Sequence, residues 1–361
     1  MRRLITALGL WVVFSPLAAY ETLEEVARLE QAPGNITLTP EGRIILSLHP
    51  FYAPQWRVAE LSGDGDLTPF PNPLWAVGGG RGLSLDSVLG IQSDPQGVVW
   101  MLDNGLRSGT MPKLLAWDTR RGRTAGLISL PPPATVPNSF VNDLAVDAEH
   151  GAIYISDPAR GDEAALIVVE VSTGRARRVL QGHRSVVAED VDLIVDDTPV
   201  RVLGPKGEPI APRIGVNPIA LDAHNRWLYY GPMHGTALYR VATRDLLDRT
   251  LSEQELGLRV ERYADRPVCD GISIDDAGNI YITDISNNGI GVIDTERRYR
   301  TLVPDARLSW PDALSFGPDG MLYIVANKLH KTARLNAGRD EARPPYYVLR
   351  VKPLAPGTVG R

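Results

Sequence analysis

The chain has 361 residues, 43% hydrophobic and 22% charged, with a formal net charge of -5. That balance leaves no basic surplus to neutralise phosphates, so nucleic acid is excluded as an expected partner. A lone cysteine, Cys269, excludes an internal disulfide.

Arg2-Arg3 precede an apolar run from Leu4 to Ala19 that closes on Pro16-Leu17-Ala18-Ala19 before the polar Tyr20-Glu21. This reads as an export signal, 1–19, cleaved near Ala19. The expectation is a secreted or periplasmic protein with no membrane contact after cleavage, since the run is marginal against the roughly 20 residues of a span. Leu23 to Glu30 follows as a short amphipathic lead-in of no assigned structure.

From Asn35 onward one pattern recurs: alternating apolar residues, an Asp-and-Gly turn, and an apolar return strand. Its cleanest copy is Cys269 to Asp284, C-D-G-I-S-I-D-D-A-G-N-I-Y-I-T-D. Copies begin at Asn35, Leu89, Asn142, Asn217, Asp270 and Asp312, at spacings of roughly 40 to 75 residues. A second strand pair follows the early copies, as at 56–61 and 67–70, 114–117 and 124–130, and 165–171 and 176–180. The stretch 186–215 carries Pro199, Gly204, Gly207, Pro209 and Pro212 and is expected to form an extra hairpin and loop. Arg244 to Leu256 reads as a surface helix, and Tyr346 to Val351 as a late strand. Gly78 to Gly82 lacks the strand, helix and lysine of a phosphate-binding loop and reads as a flexible connection.

Four strands per copy and six copies predict an all-β fold, a six-bladed β-propeller with four-stranded blades, forming a single domain over 20–361. In such a ring the first strand of each blade lines the channel, and a hairpin sets the start of that strand beside the end of the second. Strand starts therefore offer Asn35, Asn142, Asn217, Asp270 and Asp312 to one mouth, an oxygen-rich set suited to a polar ligand or to calcium. Strand ends offer His49, Asp103, Asn104, Asp157, His234, Asp284 and Asn327. The aspartates at the turns, Asp94, Asp147, Asp222, Asp275 and Asp319, are assigned to turn chemistry, and Cys269 to a buried, inert thiol.

Three segments carry a family resemblance. Val99-Trp100-Met101-Leu102-Asp103-Asn104-Gly105, Ile214 to Leu221 with Leu228-Tyr229-Tyr230 and Leu238 to Val241, and Trp310-Pro311-Asp312 with Leu322 to Leu329 resemble the yellow / major royal jelly protein family. The resemblance implies a six-bladed propeller, secretion, and the binding of small amines or a link to dopachrome conversion. This chain lacks that family's paired cysteines and looks like a bacterial exported form. Asn142-Asp143, Asn217 and Asp270-Gly271 are also similar to the metal positions of the calcium-dependent SMP-30/gluconolactonase propellers, with Asn35 where that group has a glutamate.

Three readings follow. The first is a propeller binding a small organic ligand at the channel mouth, with tautomerase-like chemistry. In it Asp103, Asp284, His49 and His234 handle protons, and Asn104, Asp157, Asp312 and Asn327 contact the ligand. The second is a calcium-dependent lactonase with Asn35, Asn142, Asn217 and Asp270 as metal ligands. The third is a non-catalytic scaffold that binds another protein. Neither nucleotide nor haem is expected in any of them.

Overall fold

The computed structural model describes residues 20–78 and 84–361. The expected signal segment and most of the Gly78–Gly82 connection lie outside the described residues. Six four-stranded antiparallel sheets form the six blades. Their inner strands are Pro33–Leu38, Val88–Ser93, Leu144–Asp147, Val216–Leu221, Cys269–Ile274 and Pro311–Phe316. Each pairs with the return strand predicted for it.

The lead-in is itself a strand. Leu23–Leu29 pairs antiparallel with Tyr346–Val351, Leu23 opposite Val351 and Leu29 opposite Tyr346, and supplies the outer strand of blade six. This strand thus closes the ring and covers what would be an open sheet edge. Arg244–Leu256 is not one helix but two short ones, Thr243–Leu247 and Glu253–Gly257. Ser252 caps the second through a reciprocal capping box with Glu255, so the chain restarts there instead of running through.

Blades stack face to face, and the core is divided among their interfaces. In Ala152–Asp157 the side chains alternate: Ile153 and Ile155 pack against Trp100, Leu102 and Leu114 of blade two, while Tyr154 faces Val216, Leu228 and Tyr230 of blade four. Both faces of a blade are therefore apolar, which explains middle strands such as Ala-Leu-Ile-Val-Val-Glu at Ala165–Glu170. The turn aspartates do what their position predicts. Asp275 accepts from the Ala277 and Asn279 amides at 3.0 and 2.9 Å, and its second oxygen accepts from Tyr281 Oη at 2.9 Å. Asp319 and Tyr323 repeat that aromatic bond in blade six at 2.9 Å.

Two features shape the channel. At the turn side, Gly360 and Arg361 lie across its end: Thr37 Oγ1 donates to the Gly360 carbonyl at 2.9 Å, and Arg361 donates to the Asp222 and Val146 carbonyls at 3.0 and 3.2 Å. At the other side the segment between blades three and four forms two small hairpins, Ile194–Val195 with Thr198–Pro199 and Val202–Leu203 with Pro209–Ile210. This strap reaches the blade-six loop, where the Arg201 amide donates to the Leu335 carbonyl at 3.3 Å and the Ala337 amide to the Arg201 carbonyl at 2.8 Å. Leu193, Val195 and Val200 pack there against Trp310, Leu329 and Leu335.

Inner strands approach one another closely around the axis, and glycine makes that possible. A Cβ on Gly271 would stand 2.4 Å from the Asp312 carbonyl oxygen and 3.2 Å from Ala313 Cα, both backbone atoms that cannot swing aside. Gly271→Ala is therefore expected to cost about 1–3 kcal/mol, the usual range for overpacking. Gly126→Ala, whose nearest neighbour would be Ala116 Cβ at 3.7 Å, should cost far less. Urea unfolding of the two variants checks this, and equal losses would contradict it.

Candidate functional site

Under the strap, on the channel axis, lies a cavity of about 430 Å³. Its lining includes Asn35, Asn142, Asp143, Asn217, Asp270 and Asp312, contributed by five of the blades. The local fold explains how these side chains reach it. Register between the first two strands shifts between Val216 and Ile219, between Cys269 and Ile272, and between Pro311 and Leu314. Each shift is a bulge at the strand start, and it re-aims the residue inside it, Asn217, Asp270 or Asp312. Blade three places two consecutive residues, Asn142 and Asp143, on the cavity just before Leu144–Asp147.

The floor is a connected set of amides and carboxylates. Asn35 Nδ2 donates to Asp143 Oδ1 at 3.1 Å, joining blade one to blade three across the axis. Asn142 Nδ2 donates to Asn217 Oδ1, and Asn217 Nδ2 to Asp270 Oδ1. Trp310 Nε1 donates to Asp270 Oδ2 at 2.8 Å, and Asn327 Nδ2 donates to Asp312 Oδ2 at 2.5 Å. Trp310 is buried with a φ of 55°, a left-handed backbone that costs a bulky residue about 1–3 kcal/mol and is held here by its surroundings.

Withdrawal from bulk water disfavours the ionised form of each carboxyl. It pushes Asp143 up to about 7, with the charge of Asp270 adding to the effect. Asp270 is pushed up to about 6 by burial. Asp312 is raised well above the usual carboxylate range by burial and then by the charge of Asp270. Asp143 is thus poised at neutrality and Asp312 is shifted the same way, and between about pH 6 and 7 Asp143 keeps a proton while Asp270 is ionised. Such a pair can donate a proton from one carboxyl and accept one at the other.

The remaining expected residues divide. His49 lines the cavity. Its Nδ1 accepts from the Phe51 amide at 3.2 Å, which leaves the ring proton on Nε2, and burial with the nearby Arg334 charge pulls it down to about 3. His234 is buried and does not line the cavity; its Nδ1 accepts from the Ile214 amide at 3.3 Å and burial pulls it down to about 4. Both rings are neutral at pH 7.

The strand-end acids and Asn104 are not brought to the cavity. Asp103 accepts from the Asp86, Ser87 and Gly105 amides at 2.8, 2.9 and 3.0 Å and pairs with Lys113 at 2.7 Å. Asp157 accepts from the Phe140 amide at 2.8 Å and pairs with Arg178 at 2.6 Å. Asp284 accepts from Tyr299 Oη at 2.5 Å and Asn287 Nδ2 at 2.8 Å. In blades two and three these acids satisfy the amides of the loop that enters their own blade, which is a structural task. Asn104 accepts from the Leu106 amide at 3.1 Å. Asn327 acts one step removed, holding Asp312 and donating to the Pro33 carbonyl at 3.0 Å. Cys269 is fully buried, and burial pushes its thiol up to about 11.

Aligning the copies selects one residue per strand start and so passes over Asp143 and Trp310. The adjacent pair Asn142-Asp143, and the Gly or Pro that follows the site residue at Asn217-Pro218 and Asp270-Gly271, mark the bulges that would have exposed the first of these.

The donors of the floor are all oxygen in type once an Asn amide turns over, which suits a hard cation such as calcium. Among the described residues no three acidic, histidine or cysteine side chains stand close enough together to hold a metal ion. A cation would therefore rest as much on the amide oxygens of Asn142 and Asn217 as on Asp143 and Asp270.

A six-bladed propeller with a polar, carboxylate-floored cavity on its axis is the class that fold and site define. Residues 86–359 match the sequence model of the major royal jelly protein family, and the chain belongs to that family. No curated protein matches it. Similar solved structures include a gluconolactonase from Xanthomonas campestris (TM-score 0.55, 14% identity, 92% of this chain and 89% of that one). A calcium-binding protein, regucalcin, from Agrobacterium tumefaciens has TM-score 0.55 at 15% identity, over 93% of this chain and 98% of that one. A luciferin-regenerating enzyme has TM-score 0.55 at 12% identity, over 94% and 98%. At these identities the likeness speaks for the propeller fold alone.

Proposed function

We propose that the protein binds a small organic molecule in the axial cavity, with a proton-donating or cationic end of the ligand on the floor formed by Asp143, Asp270 and Asp312. The observation that carries this reading is the convergence of three carboxyls on one cavity, Asp270 buried and Asp143 and Asp312 half-buried, all raised by their withdrawal from water, with no described cation on the floor to offset them. A ligand amine supplies that charge, and the family resemblance to amine-binding propellers points the same way. The same carboxyls support a tautomerisation, in which Asp270 takes a proton from carbon beside a carbonyl while Asp143 gives one to the oxygen. The protein's place is proposed to be periplasmic or extracellular, on the strength of Arg2-Arg3 and the apolar Leu4–Ala19.

The pH dependence follows from the direction of the shifts. An amine binds the ionised floor, so its affinity is greatest above pH 7 and falls as Asp143 takes up its proton at about 7. Affinity for phenethylamine is expected to drop about tenfold per pH unit below that point, and more steeply once Asp270 protonates at about 6. Titration calorimetry between pH 8 and 5.5 tests this, and an affinity independent of pH would sink the reading. Absence of binding at any pH would leave the protein-binding scaffold in its place.

A second reading is favoured by the oxygen-only donor set: calcium held by Asp143, Asp270, Asn142 and Asn217, where a bound cation would polarise the carbonyl of a lactone. Metal analysis of protein purified without chelator separates the two. A stoichiometric calcium ion supports the second, and metal-free protein that still binds amines supports the first.

A further inference from the structure

The charges lining the cavity are segregated. All three carboxylates belong to the floor, whereas its three guanidinium groups, Arg160, Arg213 and Arg334, sit on loops at the mouth. They come from separate places in the ring: Arg160 follows the second strand of blade three, Arg213 ends the strap, and Arg334 lies in the blade-six loop. Arg213 is engaged by Asp190 and lies 3.7 Å from Asp192. Among the described residues no carboxylate pairs with Arg160 or Arg334. Arg334 is set by stacking its guanidinium 4.7 Å over the Phe51 ring, an arrangement that leaves its N–H edge free. Between rim and floor the wall is largely apolar, with Phe51, Leu106, Phe140, Ile214, Leu329 and Leu335.

A guanidinium is a planar fork of donors matched to a carboxylate, and unpaired forks over an apolar wall and an acidic floor define a cavity with two poles. We propose that Arg160 and Arg334 select ligands that carry a carboxylate at the solvent-facing end, so that the ligand class is a small amino-acid-like zwitterion with an apolar body. The amine half of this assignment rests on the floor reading given above, whereas the carboxylate half rests on the rim alone. A cavity of about 430 Å³ accommodates an aromatic amino acid, and placing its two charges at opposite poles orients it along the channel axis. The rim acts on one end of the ligand: its positive field holds the carboxylate at the mouth and is weakened by salt.

Three probes of one shape separate the two halves: phenylalanine, phenethylamine, which lacks the carboxylate, and hydrocinnamate, which lacks the amine. Calorimetry at pH 8 should show phenylalanine bound at least about tenfold more tightly than phenethylamine, the scale of one charge-assisted pair. In the Arg160→Gln/Arg334→Gln variant that preference should vanish through loss of phenylalanine affinity, while phenethylamine, which the rim charges repel, binds no more weakly than before. Both arginines are exposed, and an unchanged melting temperature would confirm that the variant is folded. Equal affinity for phenylalanine and phenethylamine in the parent would overturn the proposal, as would a variant that loses both equally. Arginine-dependent binding of hydrocinnamate without binding of phenethylamine would uphold the rim and overturn the floor. Binding of none of the three would overturn both.

Discussion

Asp143→Asn is expected to make the protein more stable at pH 8, by a few kcal/mol, while removing its affinity for amines. The folded protein holds the Asp143 carboxyl at about 7, whereas the unfolded chain releases that proton near 4. Between those values the folded state binds more protons than the unfolded state, so stability falls as pH rises and stays low above 7. Asparagine is close to isosteric and carries no charge to bury. Its oxygen can still accept from the Leu144 amide, 2.9 Å from Asp143 Oδ1, and from Asn35 Nδ2. Melting curves in chelator at pH 5 and pH 8 should therefore show the parent losing stability with pH and the variant losing much less. A variant less stable than the parent at pH 8 would contradict this. Added calcium sharpens the comparison: if the floor holds the ion, the parent gains stability with calcium, the variant does not, and their order reverses.

Lys113→Met should have the opposite character, a loss of about 3–5 kcal/mol with ligand affinity unchanged. Lys113 and Asp103 form a buried ion pair at 2.7 Å. Removing the ammonium leaves a carboxylate with no countercharge in a site closed to water, the costly half of such a pair. The three amides that Asp103 accepts keep it in place, so the charge cannot swing out to solvent. Adding Asp103→Asn to Lys113→Met should restore part of the loss, because the neutral amide oxygen still serves some of those donors. Urea unfolding of the single and double variants measures this. If Lys113→Met instead lost binding at unchanged stability, Asp103 would belong to the site after all.

These two residues also show how far the sequence could be read. The ring was legible because each blade repeats an apolar hairpin around an Asp-and-Gly turn, and in blades five and six the acid both closes the turn and holds a tyrosine of the return strand. Leu23–Leu29 was not legible as a strand, since its partner, Tyr346–Val351, lies at the far end of the chain and no local signal names it. At the site, five of the six floor residues follow from aligning the strand starts. Asp143 does not, because Asn142 and Asp143 both bond the backbone of Ser156, two residues where a regular strand would place one. Asp103, Asp157 and Asp284 sit at equivalent positions in their own repeats, yet fold inward to serve loop amides and the outer strands of their blades. Composition at a position says that an acid is present there, while backbone hydrogen-bond accounting decides whether it is free to act.

The cavity floor turns on how tightly buried carboxyls hold their protons, and that is observable directly. Carbon NMR of protein labelled at the aspartate carboxyl, freed of metal by chelator and titrated from pH 4 to 9 with Asp143→Asn as the assignment control, reports each group separately. The Asp143 resonance should titrate near 7 and move to lower pH when an amine is bound. A carboxyl that titrates near 4 in the metal-free protein, and does not respond to an amine, would contradict it.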